Sequence, residues 1–193
     1  MKSKRSTIPT LLCSLVLSTA LHADYEAGVT AAQNGDYATA LHEFQEAADA
    51  GLDLAQYNMA VLYFTGRGVE QDYAEALRWT VMAAEQGHLN AQFNLGALYY
   101  TGTGTAVDLE KSLLWYTRAA EGQHGEAQYN LATMYELGEG TEMDMVRAHF
   151  WASASQYNEY AEAPALLQRL AAAMTPEQLS EARGTFARWR LEQ

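Results

Sequence analysis

The stretch "YYTGTGTAVD", residues 99–108, has the composition of a loop that could hold a phosphate group. Gly102 and Gly104 lie one residue apart, with threonines around them and Asp108 after them. Backbone amides that glycine leaves free near a helix start can bind an anion. The lysine and serine of the full phosphate-loop pattern are missing after Gly104, however, and this disfavours a nucleotide site.

The stretch occurs three times at a constant spacing of 36 residues, since it reads "YFTGRGVEQD" at 63–72 and "YELGEGTEMD" at 135–144. A phosphate loop is normally used once per site, whereas copies in register at such a period are typical of a solenoid. We therefore interpret the paired glycines as turns of a structural repeat. The positions that keep the spacing are Gly66, Gly102 and Gly138; Gly68, Gly104 and Gly140; and Asp72, Asp108 and Asp144.

The middle copy, residues 89–124, predicts two helices joined by a glycine-rich turn. Its first half, "LNAQFNLGALYY", has apolar residues at spacings of three and four, which place them on one helix face. Gly102 is predicted to end this helix in the left-handed conformation, and Asp108 to cap the next one. The second half, "LEKSLLWYTRAAEG", carries another apolar stripe. The unit is therefore a helical hairpin.

The same register predicts what packs between hairpins. Repeated alanines let helices approach closely, and repeated aromatic residues fill the space between successive hairpins. One hairpin cannot bury its apolar face alone, so stacking is required for a continuous core. The repeated rows are Ala55, Ala91 and Ala127; Asn58, Asn94 and Asn130; Tyr63, Tyr99 and Tyr135; and Trp79, Trp115 and Trp151.

The N-terminus predicts a secretory signal peptide. A basic start is followed by an apolar run at 11–17 and by small residues up to Ala23, and the run is too short for a membrane span. Cleavage is expected after Ala23, with Ala20 as the alternative. The only cysteine, Cys13, lies inside this segment, so the mature chain is expected to form no disulfide. We expect the protein in the periplasm or secreted.

The charge of the chain bounds its partners. The net charge is −12, and the segment 1–23 contains basic but no acidic residues, so the remainder is more negative still. Such a chain repels nucleic acid and anionic membrane surfaces. We expect a protein or peptide partner with apolar and basic segments, no nucleic acid, no stable membrane insertion of the mature chain, and a monomer. Solubility is the alternative explanation of the charge.

The copies "AQYNMAVLYFTGRGVEQDYAEALRWTVMAAEQGH" and "AQFNLGALYYTGTGTAVDLEKSLLWYTRAAEGQH" resemble Sel-1-like repeats, which are relatives of the tetratricopeptide repeat. The third copy departs from the motif at His149 and Ser155. The resemblance implies an all-α, right-handed α-solenoid of stacked helical hairpins that binds other proteins or peptides. The expected parts are a signal peptide, 1–23; a tetratricopeptide-like hairpin, 24–52; Sel-1-like repeats, 53–88, 89–124 and 125–158; and C-terminal capping helices, 159–193.

Catalytic and metal-binding patterns are weak. His88 and His124 occupy the same place in successive hairpins, too far apart to share a metal ion. The turn carboxylates Glu139, Glu142 and Asp144 are interpreted as a solvated acidic loop. We expect no cofactor, no metal and no enzyme activity. The alternative is an envelope enzyme or accessory factor that acts on peptidoglycan or polysaccharide, with the solenoid as its substrate groove.

Residues that point into the concave side need not pack, so a partner site is expected where side chains vary between copies. Two such rows change from apolar or aromatic to acidic along the array, and a third row of asparagines could bond either a ligand backbone or the adjacent hairpin. Phe64 and Tyr100 could instead simply cover the neighbouring hairpin. The rows are Phe64, Tyr100 and Glu136; Leu54, Asn90 and Glu126; and Asn58, Asn94 and Asn130.

Overall fold

The computed structural model describes residues 10–192, with side chains from residue 22 onward. Within residues 10–192 it contains ten α-helices and no strand, which confirms the predicted all-α class. Helices α2 to α8 have 13 residues each, as expected for regular hairpins. The helices are α1 Thr10–Gln33, α2 Tyr37–Asp49, α3 Asp53–Thr65, α4 Tyr73–Glu85, α5 Leu89–Thr101, α6 Leu109–Glu121, α7 Gly125–Leu137, α8 Met145–Tyr157, α9 Ala163–Ala173 and α10 Pro176–Arg190.

The predicted signal segment overlaps the first helix. Helix α1 passes through Ala23, so the predicted cleavage bond lies inside it, and residues 1–9 lie outside the described part of the chain. Among the described residues, the helices are all too short or too polar to span a bilayer. Cleavage and export stay predictions.

The chain forms two compact units, one up to Trp79 and one from Thr80 onward. In the first unit α1 packs against α2, and α2 packs against α3. In the second unit each helix from α5 to α8 packs against the next one, and α10 returns to pack against α8. Consecutive helices therefore form packed hairpins within each unit.

The predicted caps explain where the helices begin and end. The carboxylate of Asp108 accepts the N–H of Lys111 at 3.0 Å, and Asp144 accepts that of Arg147 at 2.9 Å. Gly102 ends α5 with φ of +71°, a left-handed conformation that costs glycine little. The first glycine and the aspartate of each turn are thus confirmed as helix signals in these copies.

The second glycine of the turn has a different role, which the sequence pattern did not reveal. Gly140 has φ of +69°, and a methyl group on it would overlap the carbonyl oxygen of Leu109, the first residue of α6. Gly68 meets the carbonyl group of Tyr37, the first residue of α2, in the same way. The turn of one hairpin therefore crosses directly over the start of the preceding hairpin's second helix.

The core of the second unit extends from α6 to α9 and consists of small residues around a few large ones. Ala119, Ala127 and Leu131 have no exposed surface, and Trp115 is 8% exposed. Trp151, at the same phase, is only partly buried. The alanine row therefore allows close helix contact, as predicted, and the tryptophan row is buried less evenly.

A repeated glutamine joins successive hairpins. The amide of Gln128 on α7 donates to the carbonyl oxygen of Ala120 near the end of α6, at 3.0 Å. Gln56 donates to Ala48 in the first unit at 3.2 Å. Both glutamines are buried, and each adds a second hydrogen bond to a helix-end carbonyl oxygen that also accepts a backbone N–H, from Gly51 at Ala48 and from Gln123 at Ala120.

The predicted C-terminal cap is built on α8. Thr175 and Gln178 form the reciprocal capping box that starts α10. Phe186 and Trp189 of α10 lie edge-on to Phe150 of α8, with ring centroids 6.4 and 5.9 Å away. These aromatic contacts hold the polar last helix against the array.

Candidate functional site

An open cleft of about 280 Å³ lies in the second unit, where α5 and α6 meet α7. It contains rings, an amide, a hydroxyl, a thioether and a carboxylate, so it can offer apolar surface and hydrogen bonds together. The lining residues are Tyr100, Tyr116, Tyr129, Asn130, Thr133, Met134 and Glu139.

Tyr100 lies at the mouth of this cleft, at the end of α5. Its hydroxyl group donates to Oε2 of Glu139, in the turn after α7, at 2.9 Å, and its side chain keeps 38% of its surface exposed. The hydrogen bond to this carboxylate raises the pKa of Tyr100. Glu139 is partly exposed, so its carboxylate belongs to the predicted solvated loop and also holds a residue of the cleft.

Tyr116 forms the floor of the cleft. It is 4% exposed, and its ring lies 5.8 Å from that of Phe93. Burial raises its pKa to about 12, and a hydrogen bond with the side chain of Asn130 opposes that shift. The hydroxyl group therefore stays neutral at physiological pH and pairs with the amide.

Two asparagines of the repeated row, Asn58 and Asn130, form side-chain hydrogen bonds to residues of other helices. Asn130 pairs with Tyr116, and in the first unit Nδ2 of Asn58 donates to the hydroxyl oxygen of Tyr25 at 3.4 Å. Asn94 is partly buried on α5. These contacts favour the interpretation that the row joins adjacent helices, while Asn130 still borders the cleft.

Aromatic pairs flank the cleft at equivalent positions. The ring of Phe93 stacks on His124 with centroids 4.5 Å apart, and Tyr129, 36 residues after Phe93, packs on Tyr160 at 5.2 Å. In the first pair, Phe93 of α5 contacts the residue that directly precedes α7. In the second pair, Tyr129 of α7 contacts a residue shortly before α9. Burial, followed by the charge of Glu126, raises the pKa of Tyr160.

The repeated histidines serve as helix caps. Nδ1 of His124 accepts the N–H of Ala127 at 3.2 Å, and His88 accepts that of Ala91 at the same distance. Burial lowers the pKa of His124, which suits a neutral ring that accepts this bond. Among the residues with described side chains, no group of three or more histidine, cysteine, aspartate or glutamate residues could hold a metal ion.

The predicted row of variable residues is divided between different surroundings. Phe64, in the first unit, is 44% exposed and lies edge-on to Tyr73 at 5.3 Å. In the second unit, Tyr100 borders the cleft, but Glu136 is held by the guanidinium group of Arg169 through bonds of 2.9 and 2.6 Å. The acidic end of the row is therefore already occupied by a basic residue of α9.

The second predicted row lies at helix starts. Leu54, in the first unit, is 38% exposed, and Asn90 is exposed at the start of α5. Glu126 is partly exposed in the first turn of α7, and its charge acts on the cleft tyrosine Tyr116. Of the two predicted rows, the structure brings Tyr100 and Glu126 to the surroundings of the cleft.

Several residues of this region were not predicted to form a site, and Glu139 was interpreted only as part of an acidic loop. The unpredicted residues are Tyr116, Tyr129, Thr133, Met134 and Arg169. Tyr129 could have been found, because Tyr57, Phe93 and Tyr129 repeat at a spacing of 36 residues. Tyr116 occupies the position of a threonine in the preceding copy, so the repeat pattern did not predict a tyrosine site there. Glu139 and Arg169 make contacts across hairpins, and the register alone does not indicate which partners they meet.

Comparison with known proteins identifies the repeat. The family model described as Sel1 repeat matches residues 53–88, 89–124 and 125–155. A crystal structure of a Sel1 repeat protein from Oxalobacter formigenes is 29% identical with a TM-score of 0.71, and the match covers 74% of this chain and 59% of that one.

A second crystal structure is c5321, a protective antigen present in uropathogenic Escherichia coli strains that displays an SLR fold. It is 31% identical with a TM-score of 0.72, and the match covers 82% of this chain and 35% of that one. The chain thus spans less than two thirds of either structure. Among curated proteins, no relative matches. With three repeats matched over more than half of its length, the chain belongs to the Sel1 repeat family.

Proposed function

We propose that this protein is a non-catalytic interaction module that binds a segment of a partner protein in the cleft between α5 and α7. Sel1 repeats generally mediate protein interactions. The observation that carries the proposal is Tyr100, a large aromatic side chain that is 38% exposed beside an open cleft of about 280 Å³. Aromatic residues that border a concave site are effective anchors for a partner.

The polar groups of the cleft suit binding more than chemistry. The Tyr100 hydroxyl already donates to Glu139, and Tyr116 pairs with Asn130 in a buried position. Groups held in this way orient a bound segment through hydrogen bonds at little entropic cost. The protein is therefore a scaffold, and its partner segment supplies complementary apolar and polar side chains.

The module acts outside the cytoplasm. The support for export is the basic start of the chain followed by a short apolar run, the pattern of a cleaved leader. A partner in the periplasm or in the medium follows from this location.

A site-specific photocrosslink tests the interaction site. A photoreactive phenylalanine analogue replaces Thr133, which lines the cleft, and in a control it replaces Leu114, which is 48% exposed on α6 outside it. The full-length chain is expressed in its native host and irradiated. We expect discrete adducts from position 133, and their loss when Tyr100→Ala is added.

The control variant is Tyr157→Ala, which removes a tyrosine that is 49% exposed on α8, away from the cleft. It is expected to leave the adducts in place, and circular dichroism should show the same helix content for all variants. Adducts that persist at equal strength in Tyr100→Ala would show that the cleft is not the binding site.

A further inference from the structure

We propose that the cleft binds a cationic side chain, preferably an arginine, of the partner segment. This inference rests on the proposed function and specifies its chemistry. None of the seven described side chains that line the cleft is basic, while Glu139 contributes a carboxylate. Tyr100, which is 38% exposed, and Tyr129, which is partly exposed, contribute aromatic rings, and the faces of such rings attract cations.

The chain itself shows what fills the corresponding place one repeat further on. Glu136 lies 36 residues after Tyr100, and Arg169 lies 36 residues after Thr133. At that position the guanidinium group of Arg169 forms a two-bond pair with the carboxylate of Glu136, whose side chain is 15% exposed. A fork of two parallel bonds is the strongest form of this contact.

In the cleft, the place of that arginine is taken by a short side chain. The hydroxyl group of Thr133 turns back to donate to the carbonyl oxygen of Tyr129 at 3.1 Å. The space between α5 and α7 that corresponds to the guanidinium group of Arg169 is therefore left open. The carboxylate of Glu139 lies at the mouth of this space, where it accepts the hydrogen bond from Tyr100.

Tyrosines of this unit already receive cations at other positions. Lys111 lies over the ring of Tyr99 with its nitrogen 5.2 Å from the centroid, and Arg147 lies over Tyr135 at 5.5 Å. The net charge of −12 adds a long-range attraction for basic segments. The ring faces, the carboxylate and the overall field thus all favour a cation.

The test uses two small probes of nearly the same shape, N-acetyl-arginine methylamide and its neutral analogue N-acetyl-citrulline methylamide. Each is titrated into the isotope-labelled full-length chain, and the backbone amide resonances of α5 and α7 are followed. We expect the arginine probe to bind about fivefold or more tightly than the citrulline probe, as an exposed ion pair and a ring contact together imply. Salt should reduce the difference.

Glu139→Gln keeps an acceptor for the Tyr100 hydroxyl group but removes the charge, and it should weaken arginine binding about threefold. Glu142→Gln is the matched control, since Glu142 is an exposed carboxylate of the same turn that does not line the cleft. Its arginine affinity should equal that of the parent.

Three results would overturn the inference: equal affinity for both probes, equal weakening in Glu139→Gln and Glu142→Gln, or no perturbation of α5 and α7 by either probe. If any of these occurred while Tyr100-dependent crosslinks from position 133 persisted, the cleft would remain the interaction site and only its cationic specificity would be wrong. Loss of the Tyr100 dependence alone would instead reject the interaction site.

Discussion

The close approach of Gly140 to Leu109 predicts a large stability difference between two glycine substitutions. Gly140 and Gly87 both have positive φ, +69° and +92°. Alanine in such a conformation lowers the free energy of unfolding by about 1–2 kcal/mol. About 0.4–1 kcal/mol of this is offset, because alanine also reduces the conformational entropy of the unfolded chain. A methyl group on Gly87 meets nothing within 4 Å, so Gly87→Ala should cost only about 1 kcal/mol.

At Gly140 the same methyl group would overlap the backbone carbonyl group of Leu109, which cannot rotate away as a side chain could. Forced overpacking adds about 1–3 kcal/mol, so Gly140→Ala should cost about 2–4 kcal/mol in total. The turn then has to move away from α6, which weakens the contact between the two hairpins.

Urea unfolding followed by circular dichroism measures both variants. With a slope of about 2 kcal/mol per molar urea, the midpoint should fall by about 1–2 M for Gly140→Ala and by about 0.5 M for Gly87→Ala. Equal midpoints for the two variants would refute the reasoning, since the extra cost expected for Gly140→Ala comes from the contact with Leu109.

Three further predictions follow from the packing, the caps and the leader. Trp115→Ala should lower the free energy of unfolding by about 3–5 kcal/mol, seen in urea or thermal melts, and a melting temperature within a degree of the parent's would contradict its burial. Burial lowers the pKa of His124 in the folded state, so the unfolded chain binds a proton first as the pH falls. The contribution of His124 to the free energy of unfolding is therefore complete above about pH 6.5 and is lost as the pH falls below that value. His124→Asn, which keeps a cap acceptor, should therefore lose less stability between about pH 7 and pH 5 than the parent chain, and equal losses would exclude His124 as the cause. Mass spectrometry of the envelope fraction should find the chain beginning at Asp24 or Leu21, whereas a cytosolic chain with an intact Met1 would contradict export.

Part of the candidate site could be predicted from the register. Tyr100 stands out because its position changes between copies while the packing rows do not, and the structure places it at the cleft. Glu136 was selected by the same argument, yet it is bound by Arg169. Variation shows that a position is not needed for the common core, but it does not show whether the side chain is free or paired.

The capping residues were predictable because each depends on the chain immediately around it. Asp108 bonds an amide three residues later, and Gly102 requires only its own backbone conformation. The histidine caps were missed because histidine is an uncommon cap residue, so His124 was considered as a metal ligand rather than as the acceptor for Ala127.

The sequence by itself determined the helices, their 36-residue repetition and the small residues that let hairpins stack, because these follow from local backbone preferences and from periodicity. The tertiary structure alone decided that Gly140 must pass over Leu109, that Arg169 closes one junction, and that Glu139 holds Tyr100 beside an open cleft at another. These contacts join residues about 30 to 40 positions apart. A repeat period shows which residues occupy equivalent places, but the partners that side chains meet across hairpins depend on how the helices pack.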